Sequence, residues 1–236
     1  MIRLTVRHYI ATSLILSTAL GILSNTKTTA QTFQETQEIQ SDWSFWPTDD
    51  DKAPKRTVSG ATRGNCSNEQ VTALLPSSQY GLTRKSHPEI LVATSADGPS
   101  QALFSVQSAD DYYYETYVDL PEAIGIVSIA LPLEAPPLME NSLYQWSLIL
   151  MCNHRLRPDS PSLQGWIQTQ PTDTASPNLT LEQAALYRDE HLWYDMIALL
   201  AELQVQYPEN STIHQAWHSI LTSIDLAAVI DAPILP

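Results

Sequence analysis

Residues 142–152 read SLYQWSLILMC, an alternation that puts Tyr144, Trp146, Leu148, Leu150 and Cys152 on one face of an extended chain. A segment like this can settle only as a strand with one side buried. It sits in a region, about residues 57–170, where short β-branched and aromatic runs alternate with Gly, Pro, Asp and Ser clusters at strand-like intervals. Seven strands are expected, at 71–75, 89–94, 101–107, 112–119, 125–131, 142–152 and 162–169. Pro132, Pro136 and Pro137 cannot donate to a ladder, so they mark a connection between strands. The pattern predicts an antiparallel β-sandwich of immunoglobulin-like size. Cys66 precedes the first strand, so the Cys–Trp–Cys layout of antibody domains is not met.

Past the bridge QPTDTASPNLT the period becomes helical, which makes the fold class α+β. Leu181, Ala184, Ala185, Leu186, Leu192, Ile197, Leu200 and Leu203 fit two helices broken near 189–191, and Tyr207-Pro208 stops the second. Ile213, Trp217, Ile220, Leu221 and Ile224 predict a third helix over about 211–230. This C-terminal segment, 171–236, resembles a tetratricopeptide-like hairpin plus one helix. At about one and a half repeats it is too short for a solenoid, so it is expected to pack on the sandwich.

Residues 1–30 place Arg3, Arg7 and His8 ahead of an apolar stretch, with Thr28-Thr29-Ala30 as a small-residue cleavage site. That is the layout of a signal peptide, and the stretch is shorter than a membrane span. The mature chain is therefore expected to be exported, periplasmic or extracellular, with no membrane span after cleavage. Residues 31–56 read as a polar linker, and Trp43, Phe45 and Trp46 within it are expected to dock on the chain's own folded part. Asp49-Asp50-Asp51 lacks the spacing of a calcium loop.

In an oxidising compartment, two cysteines, Cys66 and Cys152, read first as one disulfide. It would close a loop of 86 positions, which the chain-entropy treatment values at about 4–5 kcal/mol. A Cys152/His154 nucleophile pair, or a metal or redox role, is the alternative. The nucleophile needs an orienting group and an oxyanion site that no motif nominates. His154 follows the strand in a turn-rich segment and is expected to be exposed.

Removing residues 1–30 takes away Arg3, Arg7 and Lys27 and no acid, leaving 9 basic against 26 acidic side chains, a net charge of −17. A chain so acidic repels nucleic acid and anionic lipid. After Arg188 no Lys or Arg follows, so the tail could meet a basic surface. His214 and His218 share a helical turn without the intervening Glu of a zinc protease and read as a surface pair. No metal, cofactor or catalytic set is nominated. Of the tyrosine run, Tyr113 with Tyr117 is expected on one face and Tyr112 with Tyr114 on the other; an exposed pair could stack a sugar ring or an interface side chain. Arg63, His87 and Trp166 are the candidate interaction surface: the first two in loop-like segments, the third beside Gln164 and Gln168 on the last strand.

The segments GATRGNC (60–66), VTALLP (71–76), GLTRKSHPEI (81–90), GIVSIALP (125–132), PPLMENSLYQWSLILMC (136–152), GWIQ (165–168) and LWYDMIALLAEL (192–203) run in an order that resembles the cyanobacterial family called domain of unknown function 928. The resemblance implies an exported cyanobacterial protein with paired cysteines and brings no established activity. Ser59-Gly60-Ala61 departs from that family's Gly-rich entry to TRG. The expected function is a non-catalytic interaction or envelope-associated module, partnered by an unknown protein or cell-envelope component. A carbohydrate-active or other hydrolytic enzyme is the alternative, and it would need two carboxylates at a defined separation.

Overall fold

The computed structural model describes residues 43–45, 70–171 and 179–236. Among them, eight strands form two sheets and three helices follow. Strands β1 (Val71–Ala73), β3 (Glu89–Thr94) and β6 (Gly125–Ala130) make an antiparallel sheet in the order β1-β3-β6. Strands β2 (Tyr80–Thr83), β4 (Gln101–Ser108), β5 (Tyr113–Asp119), β7 (Leu143–Leu150) and β8 (Ser162–Thr169) make the second, in the order β2-β8-β7-β4-β5. The sheets are open, not closed on themselves.

Two expectations are corrected here. There are eight strands rather than seven, and the additional one, β2, runs parallel to β8 in an otherwise antiparallel sheet. Its sequence YGLT is short and contains glycine, so it carries little strand signal of its own. What holds it is non-local, because β8 supplies the ladder and the helices cover its inner side. A Cβ on Gly81 would lie 2.9 Å from Trp193 Cβ and from Tyr194 Cε2, so only glycine allows this approach.

β7 shows the expected alternation, with Tyr144, Trp146, Leu148 and Leu150 buried. It lies between β4 and β8, so both its ladders are paired. Turn residues separate the strands as the sequence suggests. Gly98 N–H donates to Ser95 O at 3.1 Å before β4, and Asp111 takes φ 64° before β5. Asp and Asn tolerate that left-handed region better than most side chains.

Helix α1 (Leu181–Asp189) starts at Thr180, whose hydroxyl accepts from Gln183 N–H, and His191 at φ 59° turns the chain into α2 (Trp193–Gln206). Helix α3 (Ser211–Ser223) is capped by Asn210, which accepts from Thr212 and Ile213 N–H. α3 is shorter than expected, because Asp225 at φ 62° turns the chain toward a 3-10 turn at Ala227–Val229. α2 packs on α1, α3, β2 and β3, which explains why it is buried on nearly every side. Residues of both sheets and all three helices form one buried cluster. Trp43 and Phe45 join it: Phe45 meets Trp193 edge-on at 4.8 Å and its N–H donates to Ser223 Oγ at 3.3 Å. The C-terminal chain covers the outer edge of β6, with Ile126 N–H donating to Pro233 O and Leu235 N–H to Ile126 O, both at 2.7 Å.

Candidate binding surface

The register of the five-stranded sheet lines up its outward residues in rows. One row runs Tyr113, Gln107, Gln145, Trp166, Tyr80 across β5, β4, β7, β8 and β2. The next holds Glu115, Ser105, Ser147 and Gln164, and beyond it come Tyr117, Leu103, Ile149 and Ser162. Alternation puts these side chains opposite the core, since their inward neighbours on the central strands, such as Val106, Trp146 and Gly165, are buried.

The middle of this face is a polar ladder. Gln107 Nε2 donates to Gln145 Oε1 at 3.3 Å, and Gln145 Nε2 donates to Gln164 Oε1 at 2.9 Å. Ser105 and Ser147 hydroxyls meet at 2.8 Å. Aromatic rings flank the ladder. Tyr113 and Tyr117 on the edge strand are 60% and 63% exposed, while Trp166 stands half-buried on the far side. Their partners in the run, Tyr112 and Tyr114, pack against the core, and Tyr112 meets Tyr144 edge-on at 5.1 Å. The Tyr113 hydroxyl donates to Glu115, and that bond holds its ionisation above the ordinary tyrosine value.

The carboxylates of this face do not have the spacing of a glycosidase pair. Glu115 and Asp119, its carboxylates on β5, are four residues apart, or about 13 Å along a strand. Paired glycosidase carboxylates stand roughly 5–9.5 Å apart. Asp119 is also engaged by Gln101 Nε2 at 3.0 Å.

Of the predicted surface residues, Trp166 and His87 are described and stand in different settings. Trp166 lies on the aromatic–amide face with Gln164 and Gln168, as its strand position suggests, and its backbone is fixed by Gln79 O and Tyr194 Oη. His87 is not the outward-pointing group expected of a loop. Its Nε2 lies 3.0 Å from Ala135 O and its Nδ1 3.2 Å from Ser86 Oγ, so it ties the turn before β3 to the proline-rich connection. Arg63 and Cys66 lie outside the described residues. Cys152 is half-buried against the core at the end of the β7 stripe, where a bridge to Arg155 closes a turn. His154, at φ 55°, is exposed on that turn. His214 and His218 are exposed on α3, and His214 Nε2 contacts Pro208 O at 2.6 Å. Gln107, Gln145 and the two serines were not singled out by sequence reasoning. Their signal is the polar member of each strand's alternation, and only the register makes it a row.

A second cluster gathers charge beneath the turn after β2. Asp195, in the first turn of α2 and 3% exposed, accepts from Arg84 N–H at 3.1 Å and from the Thr83 hydroxyl. Burial pushes its carboxyl above the usual value, against the pull of those bonds and of Lys85. Lys85 pairs with Glu89 at 2.6 Å, and Arg84 with Glu190 at 2.7 Å. Burial also raises Glu89, but the bond and charge of Lys85 and the Ser128 hydroxyl outweigh it and hold that carboxyl low. Of these acids, Asp195 fastens α2 to the end of β2, Glu190 ties the end of α1 to Arg84, and Glu89 joins β3 to Lys85 and to Ser128 on β6. Among the described residues no group of three or more His, Cys, Asp or Glu side chains is placed to hold a metal ion, and no helix is long and apolar enough to cross a membrane.

Comparison with known proteins agrees with the sequence resemblance at the level of family. The model of the family Domain of Unknown Function (DUF928) matches residues 58–234, and the chain belongs to that family. No curated protein matches it.

Proposed function

We propose that the chain is an exported, envelope-associated recognition module without catalytic activity, in which the two sheets form a β-sandwich stapled by a Cys66–Cys152 disulfide. The observation that carries the reading is the outer face of the five-stranded sheet. There, exposed Tyr113 and Tyr117 and the half-buried Trp166 flank a hydrogen-bonded Gln/Ser ladder. Large rings left in water on a rigid sheet contribute nothing to the core, and aromatic groups are favoured at contact surfaces. Buried residues drawn from both sheets into one cluster support the sandwich. The layout of residues 1–30 and the position of Cys152 on the core side of β7 support export and the staple.

The mature protein tests this reading through binding to isolated cell envelopes. Trp166→Ala and the double variant Tyr113→Ala/Tyr117→Ala should both remain folded with cooperative melting, the half-buried Trp166 at some cost in melting temperature, and should lose retention. Retention unchanged in both variants would remove this face from the function. Intact mass after alkylation without reductant tests the rest: loss of residues 1–30 with no alkyl group added is expected. Two alkylated cysteines would exclude the staple.

A further inference from the structure

We infer that the ligand of the outer sheet face is a neutral, extended polysaccharide running across the strands. This rests on the recognition reading above and adds the chemical class of what is recognised.

The first support is the kind of polar group on the face. A sugar hydroxyl both donates and accepts, and so does a Gln amide or a Ser hydroxyl. Gln145 uses one N–H and one acceptor site in the ladder, and Gln164 uses an acceptor site. Each amide keeps further donor and acceptor capacity toward solvent, and the ladder fixes its orientation before any ligand arrives. A protein partner would instead favour an apolar centre that sheds water, with polar groups at the rim. Here amides and hydroxyls fill two of the three central rows, and the apolar pair Leu103 and Ile149 is confined to the third, beside Tyr117.

The second support is ring placement. Tyr113 and Trp166 are three strands apart, about 14 Å at the usual inter-strand spacing. Tyr113 and Tyr117 are separated by about 13 Å along β5. Either span exceeds one pyranose ring, so a chain of several sugars meets rings that a monosaccharide could not bridge. The C–H face of a pyranose is weakly positive and complements the negative face of an aromatic ring.

The third support is charge. The charged groups in these rows are acids, Glu115 and Asp119, on a chain of net charge −14. Anionic polymers are repelled from such a surface, and neutral ones are not.

Native gels cast with soluble hydroxyethylcellulose, galactomannan, xylan or alginate test the assignment on the mature wild-type protein. At least one neutral polysaccharide should retard it. Trp166→Ala and Tyr113→Ala/Tyr117→Ala should weaken that retardation by about tenfold or more, the loss expected when a contact worth roughly 1.4 kcal/mol is removed. Tyr207→Ala, which removes an exposed ring at the end of α2, should leave retardation unchanged. Melting temperatures of all variants verify that each is folded. Retardation by alginate as strong as by the neutral chains would overturn the assignment, as would retardation indifferent to the three rings. If no neutral polysaccharide retards the protein while envelope retention still depends on the rings, the ligand class falls and the recognition reading stands. If envelope retention ignores the rings as well, both fall.

Discussion

The two faces of the five-stranded sheet are made by the same strands, one residue out of step, and they differ in how much change they tolerate. On the inner face Trp146 donates to Tyr194 Oη at 2.9 Å, Tyr194 donates to Trp166 O at 3.0 Å, and Trp193 donates to Leu74 O at 3.0 Å. Each aromatic body fills space while its polar tip is satisfied, so helix α2 is tied to the five-stranded sheet by two bonds and to the chain just after β1 by a third. On the outer face, Tyr113 and Tyr117 stand on the edge strand with their rings in water, and Trp166 on β8 is half-buried. The contrast shows where the chain invests in stability and where it leaves surface for a partner. Because the faces are separated by parity alone, substitutions should divide cleanly between those that change folding and those that change contact.

The largest expected effect comes from Gly165→Val. A Cβ there would lie 2.6 Å from the Trp146 ring and 2.7 Å from Leu75 Cδ1, and overpacking of this kind costs about 1–3 kcal/mol or more. Denaturant midpoints should fall accordingly, and a wild-type midpoint would break the comparison at its rigid side. Next comes Tyr194→Phe, which leaves the Trp146 indole N–H and the Trp166 carbonyl without the hydroxyl between them. A loss of about 1–3 kcal/mol is expected from equilibrium unfolding.

Asp195 and Glu89 sharpen the inner side through pH. Asp195 has its pKa raised by burial, so it favours the folded state when protonated. That contribution is present below the ordinary value of 3.8 and is lost as pH rises through the higher folded value. Asp195→Asn should therefore flatten the decline in melting temperature between 3.8 and the higher folded value. Glu89 runs the other way. Burial raises it but Lys85 and Ser128 hold it low, so its contribution is present above 4.5 and is lost as pH falls through the lower folded value. Glu89→Gln should remove that acid-side loss, and melting curves over a pH series separate the two. The smallest expected effect is Tyr117→Ala, which should change stability by no more than about 0.5 kcal/mol because the ring is exposed. A larger loss in thermal unfolding would show that the outer rings also hold the fold.

Some of this was legible in the sequence because it is local. The β7 stripe, the opposed pairs in the tyrosine run and the stop of the second helix at Tyr207-Pro208 each follow from residues a few positions apart. β2 was not legible, because its stability comes from a parallel ladder to β8, some 86 positions away, and from aromatic side chains that Gly81 admits. The helical stripe of α2 predicts one buried side. It carries no sign that α1, α3 and the sheet together enclose the helix. His87 looked like a free loop group because its carbonyl partner, Ala135, is 48 positions distant. The polar ladder was missed for the same reason: Gln107 and Gln145 are unremarked polar positions until register sets them beside Gln164.

The most direct test is hydroxyl-radical footprinting of the mature protein, alone and with the polysaccharide that retards it. Tyr113, Tyr117 and Trp166 should be modified in the free protein and protected on binding, while Trp146 and Tyr194, buried on the inner face, should remain unmodified in both states. Outer rings modified equally with and without ligand, or protection confined to residues elsewhere, would contradict the division of the sheet into a face for folding and a face for recognition.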